Sequence, residues 1–291
     1  MKSVKTAYLI FIVLLFAALG VAGEQVQPFA DGFRGPENLA FDGKGFLYVT
    51  DTNHLYKVAP NGKKEIIYTR AKADGRSLCG VRMGPKGKVY FSAGNRILAY
   101  KPGTGSVTEV ARKFGLANGI TFNDKGDLFV ADSIKGRVYV VPAETNKKRT
   151  LKACAGWANG VAWDRKDNTL FYTTTYPGRL CALKLDDQLK VEKHFKIAKF
   201  KRGVPDDITL DADGNVILCG WGDGEVRRVT RDGKIEILVE GIDGPSAAAF
   251  GTGDRADTLF ICVKGGSLKF KGTQLVTSKV GVTGYRLPFM P

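Results

Sequence analysis

The chain has 291 residues, of which 44% are hydrophobic and 25% are charged, and these proportions are typical of a soluble globular protein rather than a wholly disordered chain. Its formal net charge of +15 is typical of a solvated basic exterior, with weak association with anionic surfaces as the alternative. A nucleic-acid-binding protein would need a concentrated basic stripe and a recognisable reading element, which the sequence lacks, so we expect no nucleic-acid partner.

Residues 1–23 have the pattern of an export signal. Two lysines precede an apolar run from Ala7 to Val21, and a small-residue cleavage site follows it. The run is short for a membrane span of ~20 residues, so we predict a cleavable signal peptide, with a retained N-terminal anchor as the alternative. The mature chain would then start near Glu24 and be secreted or periplasmic.

From residue 37 onward the sequence repeats six times, with about 40 residues in each repeat. Each repeat starts with a residue that we call its anchor, and the anchors are Glu37, Cys79, Asn118, Asn159, Asp206 and Ser246. A short alternating strand, a turn containing Gly or Asp and an apolar run follow each anchor, which indicates a hairpin, and two further strands complete the repeat. We therefore predict an all-β fold, a six-bladed β-propeller over residues 24–291.

The N-terminal stretch from Glu24 to Phe33 resembles the outer strand that begins at Lys234, although it precedes the first repeat. We predict that this strand closes the last blade and removes the edge that an open ring would expose. A solenoid is the alternative for a repeat of this length, but the antiparallel hairpins and the permuted ends favour a ring. We expect the closed ring to be a monomer.

In a propeller the first strand of each blade lines the central channel, so the anchors should form a ring near one mouth. Four anchors, Glu37, Asn118, Asn159 and Asp206, offer oxygen donors and carry two negative charges. Buried carboxylates are costly without a counter-charge. We predict one divalent cation on these four residues, with calcium the best match and magnesium, manganese or zinc as alternatives. The competing interpretation is that the Asn-Gly pairs only form turns, but it does not account for Glu37.

The loops that follow the second strands should return to the same mouth and form the wall of a pocket. Four residues in these loops are candidate substrate contacts: His54, Asn95, Tyr176 and Trp221. Asp132, in Val-Ala-Asp-Ser, matches Asp51, in Thr-Asp-Thr, and the recurrence indicates a turn that stabilises each blade rather than chemistry.

These motifs resemble those of the gluconolactonase, senescence-marker-protein and luciferin-regenerating-enzyme group and the related paraoxonases and strictosidine-synthase-like proteins. The resemblance covers the mature chain and is carried by Gly35-Pro36-Glu37, Ala117-Asn118-Gly119, Ala158-Asn159-Gly160-Val161-Ala162 and Val204-Pro205-Asp206-Asp207-Ile208. It implies a divalent cation on Glu37, Asn159 and Asp206, with Asn118 binding the metal or the substrate.

The resemblance also implies a small-molecule lactone or ester as the substrate. Asp207 departs from the gluconolactonase branch, which usually has Pro-Asp-Gly, and looks more like the paraoxonase arrangement. Paraoxonase-like members use a histidine near the metal as a proton shuttle, and His54 is the candidate for that role; the alternative is an ordinary surface histidine.

For a lactonase, the cation would polarise the ester carbonyl as water attacks, with Asp206 or Asp207 as the general base. The alternative for Asp207 is a capped turn or a supporting hydrogen bond. A metal-dependent lactonase or arylesterase is our leading hypothesis. Two other classes stay open: a propeller that binds a ligand or partner without chemistry, and a strictosidine-synthase-like enzyme, whose acid-base Glu has no obvious counterpart here.

Overall fold

The computed structural model describes residues 26–75, 77–266 and 272–289, so the predicted signal segment lies outside the described residues. Within these ranges the strands form six antiparallel sheets of four strands each, and three short 3₁₀ helices lie at Lys72–Asp74, Pro85–Gly87 and Gly253–Arg255. None of the described helices is long and apolar enough to cross a membrane. The predicted six-bladed β-propeller is confirmed.

The strands are numbered β1 to β24 in chain order. The first strands of the six blades are β2 (Asn38–Phe41), β6 (Leu78–Met83), β10 (Ala117–Phe122), β14 (Ala158–Asp164), β18 (Pro205–Leu210) and β22 (Pro245–Phe250). The second strands are β3 (Leu47–Thr50), β7 (Val89–Ala93), β11 (Leu128–Asp132), β15 (Thr169–Thr174), β19 (Val216–Gly220) and β23 (Thr258–Val263). The third strands are β4 (His54–Val58), β8 (Arg96–Tyr100), β12 (Arg137–Val141), β16 (Arg179–Leu185), β20 (Glu225–Val229) and β24 (Gln274–Lys279). The fourth strands are β5 (Lys64–Thr69), β9 (Val107–Arg112), β13 (Arg149–Ala153), β17 (Val191–Lys199), β21 (Ile235–Val239) and, for the last blade, β1 (Gln27–Ala30).

The N-terminal strand closes the last blade, as predicted. β1 pairs antiparallel with β24, and the sheet has the order β1-β24-β23-β22. The ring of Phe29 packs edge-on against the ring of Phe260, with 4.9 Å between the ring centroids. The two ends of the propeller are therefore joined by backbone hydrogen bonds and by shared core packing.

Hydroxyl groups near the ends of the second strands join neighbouring blades at the channel. Three of them donate a hydrogen bond to the backbone carbonyl of the next blade's anchor: Thr50 to Cys79, Ser92 to Asn118 and Thr173 to Asp206. All three donors are buried, so these bonds are protected from competition with water. The placement of an anchor thus depends on the Thr or Ser at the end of the preceding blade's apolar run.

Glycine follows the anchor in blades 3 and 4 because the backbone of the next blade is too close for a side chain. A β-carbon on Gly119 would lie 2.5 Å from the carbonyl oxygen of Asn159, and one on Gly160 would lie 2.7 Å from the backbone nitrogen of Ile208. Asn118 and Asn159 both lie inside first strands. The competing interpretation of the Asn-Gly pairs as turns is therefore wrong.

We expect Gly119→Ala to lower the free energy of unfolding by about 1–3 kcal/mol, the usual cost of overpacking a close contact. The added methyl group would push the inner strands of blades 3 and 4 apart. Urea denaturation followed by tryptophan fluorescence measures the change. An unfolding curve identical to that of the wild type would show that these strands can separate without cost.

The C-terminal segment lies across the end of the channel opposite the anchors. Gly284 bridges to Asp211, and the backbone N–H of Tyr285 donates to the carbonyl of Leu210 at 3.0 Å. The phenol of Tyr285 donates to Asp164 Oδ1 at 2.7 Å. In its described part, this segment therefore contacts the ends of the first strands that lie away from the anchors.

Candidate functional site

The six anchors lie at the starts of the first strands and surround one mouth of the channel. Asn118, Asn159 and Asp206 are 7%, 9% and 7% exposed, and the Glu37 side chain is 11% exposed. The four predicted cation ligands are therefore largely withdrawn from solvent, in a setting where charge interactions are stronger than in water.

The two asparagine anchors are oriented by hydroxyl groups of their own blades. Asn118 Nδ2 donates to Ser133 Oγ at 3.1 Å, and Asn159 Nδ2 donates to Thr175 Oγ1 at 2.9 Å. Both hydroxyls donate in turn to backbone carbonyls of the next blade. The amide nitrogens are held in this way, and Asn159 Oδ1 is buried with no hydrogen-bond partner among the described residues.

Lys264 is a member of this site that the sequence analysis missed. Its Nζ is in ion-pair contact with Oε2 of Glu37, and the two side chains are only 14% and 11% exposed. Burial disfavours the charged ammonium, but the carboxylates of Glu37 and Asp206 outweigh burial and raise the pKa of Lys264. The ring therefore contains a positive charge supplied by the chain itself.

The register of the blades is the signal that identifies Lys264. In blades 3 to 6 the residue after the second strand donates its backbone N–H to the carbonyl two positions before the anchor, and these residues are Ser133, Thr175, Trp221 and Lys264. In sequence, Ile-Leu-Cys-Gly-Trp221 aligns with Phe-Ile-Cys-Val-Lys264. The alignment that selected Trp221 thus places Lys264 at the same mouth.

Asp206 is the acidic anchor whose ionisation is most perturbed. Burial raises the pKa of Asp206 to about 8, and the carboxylates of Glu37 and Asp207 also raise it. The Lys264 ammonium and a hydrogen bond from Asn159 act in the opposite direction. The Lys264 ammonium therefore offsets part of the negative charge that Glu37 and Asp206 bring to the ring.

Asp207 has a different environment from Asp206. Its Oδ2 accepts hydrogen bonds from Asn38 Nδ2 at 2.7 Å and from Arg82 Nη2 at 3.1 Å, and Asp207 and Arg82 are both buried. These two bonds engage Asp207 Oδ2 in contacts with side chains of blades 1 and 2. The structure favours the alternative interpretation, in which Asp207 supports the site, and leaves Asp206 as the candidate base.

Two of the four predicted wall residues lie beside ring residues. Trp221 Nε1 donates to the carbonyl of Gly265, next to Lys264, at 2.9 Å. Tyr176 follows Thr175, is 56% exposed and packs edge-on against Trp157, which is 57% exposed, with 5.9 Å between the ring centroids. Trp157 lies two residues before Asn159, so this pair of aromatic rings flanks the mouth; Trp157 was not predicted.

His54 and Asn95 make contacts of another kind. His54 Nδ1 lies 3.2 Å from the Tyr56 hydroxyl and 3.4 Å from Asp51 Oδ1. Asp51 accepts hydrogen bonds from two backbone N–H groups of its own turn and from the N–H of Arg34. These contacts confirm the structural role predicted for Asp51 and favour an ordinary histidine over a proton shuttle. Asn95 is exposed in a turn, where its carbonyl accepts the N–H of Phe114 at 3.1 Å.

The donor chemistry of the ring fits a divalent cation. Asn118, Asn159 and Asp206 offer oxygen atoms, and the buried, unpartnered Oδ1 of Asn159 is an atom that a hard cation would satisfy. Glu37 is the exception because Lys264 engages it. In the described parts of the chain no group of three His, Cys, Asp or Glu side chains could hold a metal ion, so the amide oxygens would be necessary ligands.

Part of the chain is similar to a known family. The family model described as SMP-30/Gluconolactonase/LRE-like region matches residues 138–264. A curated protein of Sulfolobus acidocaldarius, named only as uncharacterized, is 27% identical over 132 residues, which cover 43% of this chain and 47% of that protein. The match thus spans about half the length of this relative.

Solved structures of the same fold cover most of the chain. A gluconolactonase from Xanthomonas campestris is 15% identical with a TM-score of 0.75, covering 88% of this chain and 90% of the other. A luciferin-regenerating enzyme is 18% identical with a TM-score of 0.75, covering 91% and 98%. Regucalcin from Agrobacterium tumefaciens, described as a calcium-binding protein, is 18% identical with a TM-score of 0.74, covering 92% and 98%. The resemblance drawn from the sequence motifs is supported: residues 138–264 match the SMP-30/gluconolactonase/LRE-like family model, and these solved structures share the β-propeller fold of the chain.

Proposed function

We propose that this protein hydrolyses lactones or esters at the anchor mouth of its channel. The observation that carries the proposal is the buried carboxyl of Asp206 beside Asn159, whose buried Oδ1 has no hydrogen-bond partner among the described residues. The likeness to gluconolactonase and luciferin-regenerating-enzyme propellers supports a lactone-hydrolysing reaction.

Asp206 is the proposed general base. Among the described residues, the carboxylate of Glu37 has Lys264 as its ion-pair partner and that of Asp207 has Arg82, while no ion pair engages Asp206. In its ionised form, the Asp206 carboxylate would accept the proton of an attacking water through the oxygen that does not hold the cation. The hydrogen bond from Asn159 holds this carboxyl in the ring.

A divalent cation, with calcium the best match, would be held by Asn118, Asn159 and Asp206 and, once Lys264 moves away, by Glu37. When bound, it supplies Lewis-acid polarisation of the lactone carbonyl. The hydroxyls of Ser133 and Thr175 hold the side chains of Asn118 and Asn159 in place, which lowers the cost of assembling the site.

The wall of the mouth favours a substrate with an aromatic or aliphatic group. Trp157 and Tyr176 present exposed rings next to Asn159, and apolar surface of this kind gains free energy when a ligand covers it. We also propose that the chain is exported, because residues 1–23 have the pattern of a signal peptide.

The experiment is a panel of aromatic, aliphatic and sugar lactones tested with the purified protein in calcium, and again after chelation. We expect hydrolysis of at least one aromatic or aliphatic lactone, with a rate that falls about tenfold or more on chelation and returns when calcium is added back. Hydrolysis that survives chelation unchanged would contradict the role of the cation. The absence of hydrolysis in calcium would contradict the proposed activity.

A further inference from the structure

Lys264 places an ammonium group inside the ring where a divalent cation would bind. We propose that Lys264 competes with that cation. The ammonium and the ion bind the same carboxylate of Glu37, so the ion binds only when the Lys264 side chain leaves the ring. This inference rests on the ring being the cation site of the proposed function, and it does not depend on hydrolysis.

Glu37 is the residue for which the ammonium and the ion would compete. The Lys264 ammonium contacts Oε2 of this carboxylate, and that carboxylate is one of the two negatively charged ligands expected for the ion. The ammonium also interacts electrostatically with Asp206 and Cys79, which are anchors of two other blades. Its positive charge therefore acts on the anchors of three blades.

The side chain of Lys264 is the part that would have to move. The backbone is fixed on both sides, since its N–H donates to Gly244 and its carbonyl accepts from Gly272, each at 3.0 Å. The next residue, Gly265, is held by the indole of Trp221. The four-carbon stem of a lysine can swing its charge away while such a backbone stays in place.

Two cations cannot share this carboxylate without strong repulsion. Both would lie within the reach of one side chain that is only 11% exposed, where like charges interact more strongly than in water. The ammonium offsets one of the negative charges of the two acidic anchors without a metal. The affinity for the divalent ion is then set by the free energy needed to displace Lys264.

The test measures calcium binding by isothermal titration calorimetry on metal-free protein. Lys264→Met keeps an unbranched side chain but removes the charge, and we expect it to bind one calcium ion about tenfold or more tightly than the wild type. Lys264→Arg keeps a positive charge and is the matched control, with an affinity close to that of the wild type.

Equal calcium affinity in the wild type and in Lys264→Met would contradict the proposed competition, and so would a loss of calcium binding in Lys264→Met. If Lys264→Met folds poorly without metal, Lys264→Gln is compared by thermal unfolding over a calcium titration, where the rise in Tm should exceed that of the wild type. If the protein hydrolyses no lactone but shows the predicted difference in calcium affinity, the proposed function is wrong and the competition between Lys264 and the cation is still supported.

Discussion

Asp206→Asn should reduce kcat/KM for lactone hydrolysis by about 10²- to 10⁴-fold, the range that a positioned general base contributes. The substitution keeps the size of the side chain but removes the group that would accept the proton of water. Initial rates with the best lactone of the panel, measured in saturating calcium, give the comparison.

The Asp206→Asn variant is expected to fold. Burial opposes ionisation of this carboxyl and raises its pKa to about 8, so a neutral amide at the same place should not lower the melting temperature. Asp124→Asn is the matched control because it removes one acidic charge at an exposed position with only a 3.6 Å contact to Arg165. Equal activity in Asp206→Asn and the wild type would exclude Asp206 as the base.

Arg82→Met should lower the free energy of unfolding by about 3–5 kcal/mol, the usual cost of removing one partner of a buried ion pair. Asp207 is 3% exposed and would keep its charge without a counter-ion. Asn38 Oδ1 would also lose the hydrogen bond that Arg82 Nη1 donates at 3.0 Å. Urea denaturation at neutral pH measures the loss.

The double variant Arg82→Met with Asp207→Asn distinguishes the ion pair from simple packing. Neutralising both partners removes the uncompensated charge, so the double variant should recover much of the stability lost by Arg82→Met alone. A double variant that is no more stable than Arg82→Met would show that the guanidinium acts through packing. A single variant as stable as the wild type would show that the pair contributes nothing.

The repeat pattern predicts the fold well because each blade carries the same information. The anchor, the turn and the apolar run recur in register, and six consistent copies determine the strand order more securely than any one segment does. The closing strand Gln27–Ala30 was predictable for the same reason. It resembles the outer strand of a blade, yet it precedes the first repeat. The ring of anchors follows once the blades are placed.

The contacts between anchors and distant residues were not predictable from the repeats. Lys264 meets Glu37 because ring closure brings the last blade beside the first, and Arg82 meets Asp207 across the channel from blade 2 to blade 5. Such contacts depend on the shape of the closed ring, and neither residue occupies an anchor position. The sequence therefore indicated two acidic anchors in need of a counter-charge but did not show that the chain supplies one.

The glycine after Asn118 had two interpretations in the sequence, and only the packing decides between them. A turn and a close approach of two strands both favour a residue without a β-carbon. Gly119 lies inside a strand, where Asn159 of the next blade leaves no room for a methyl group. Local sequence cannot report the distance to a strand that lies about 40 residues further along the chain.

Hydrolysis at the anchor ring is tested most directly by measuring kcat/KM for one lactone with the wild type, Asp206→Asn and Asp207→Asn in calcium, normalised to folded protein. We predict hydrolysis by the wild type, a loss of about 10²-fold or more in Asp206→Asn, and a much smaller change in Asp207→Asn. A wild type that hydrolyses no lactone would favour a ligand-binding propeller and contradict the proposed function. The reverse order, with Asp207→Asn inactive and Asp206→Asn active, would contradict the assignment of the base.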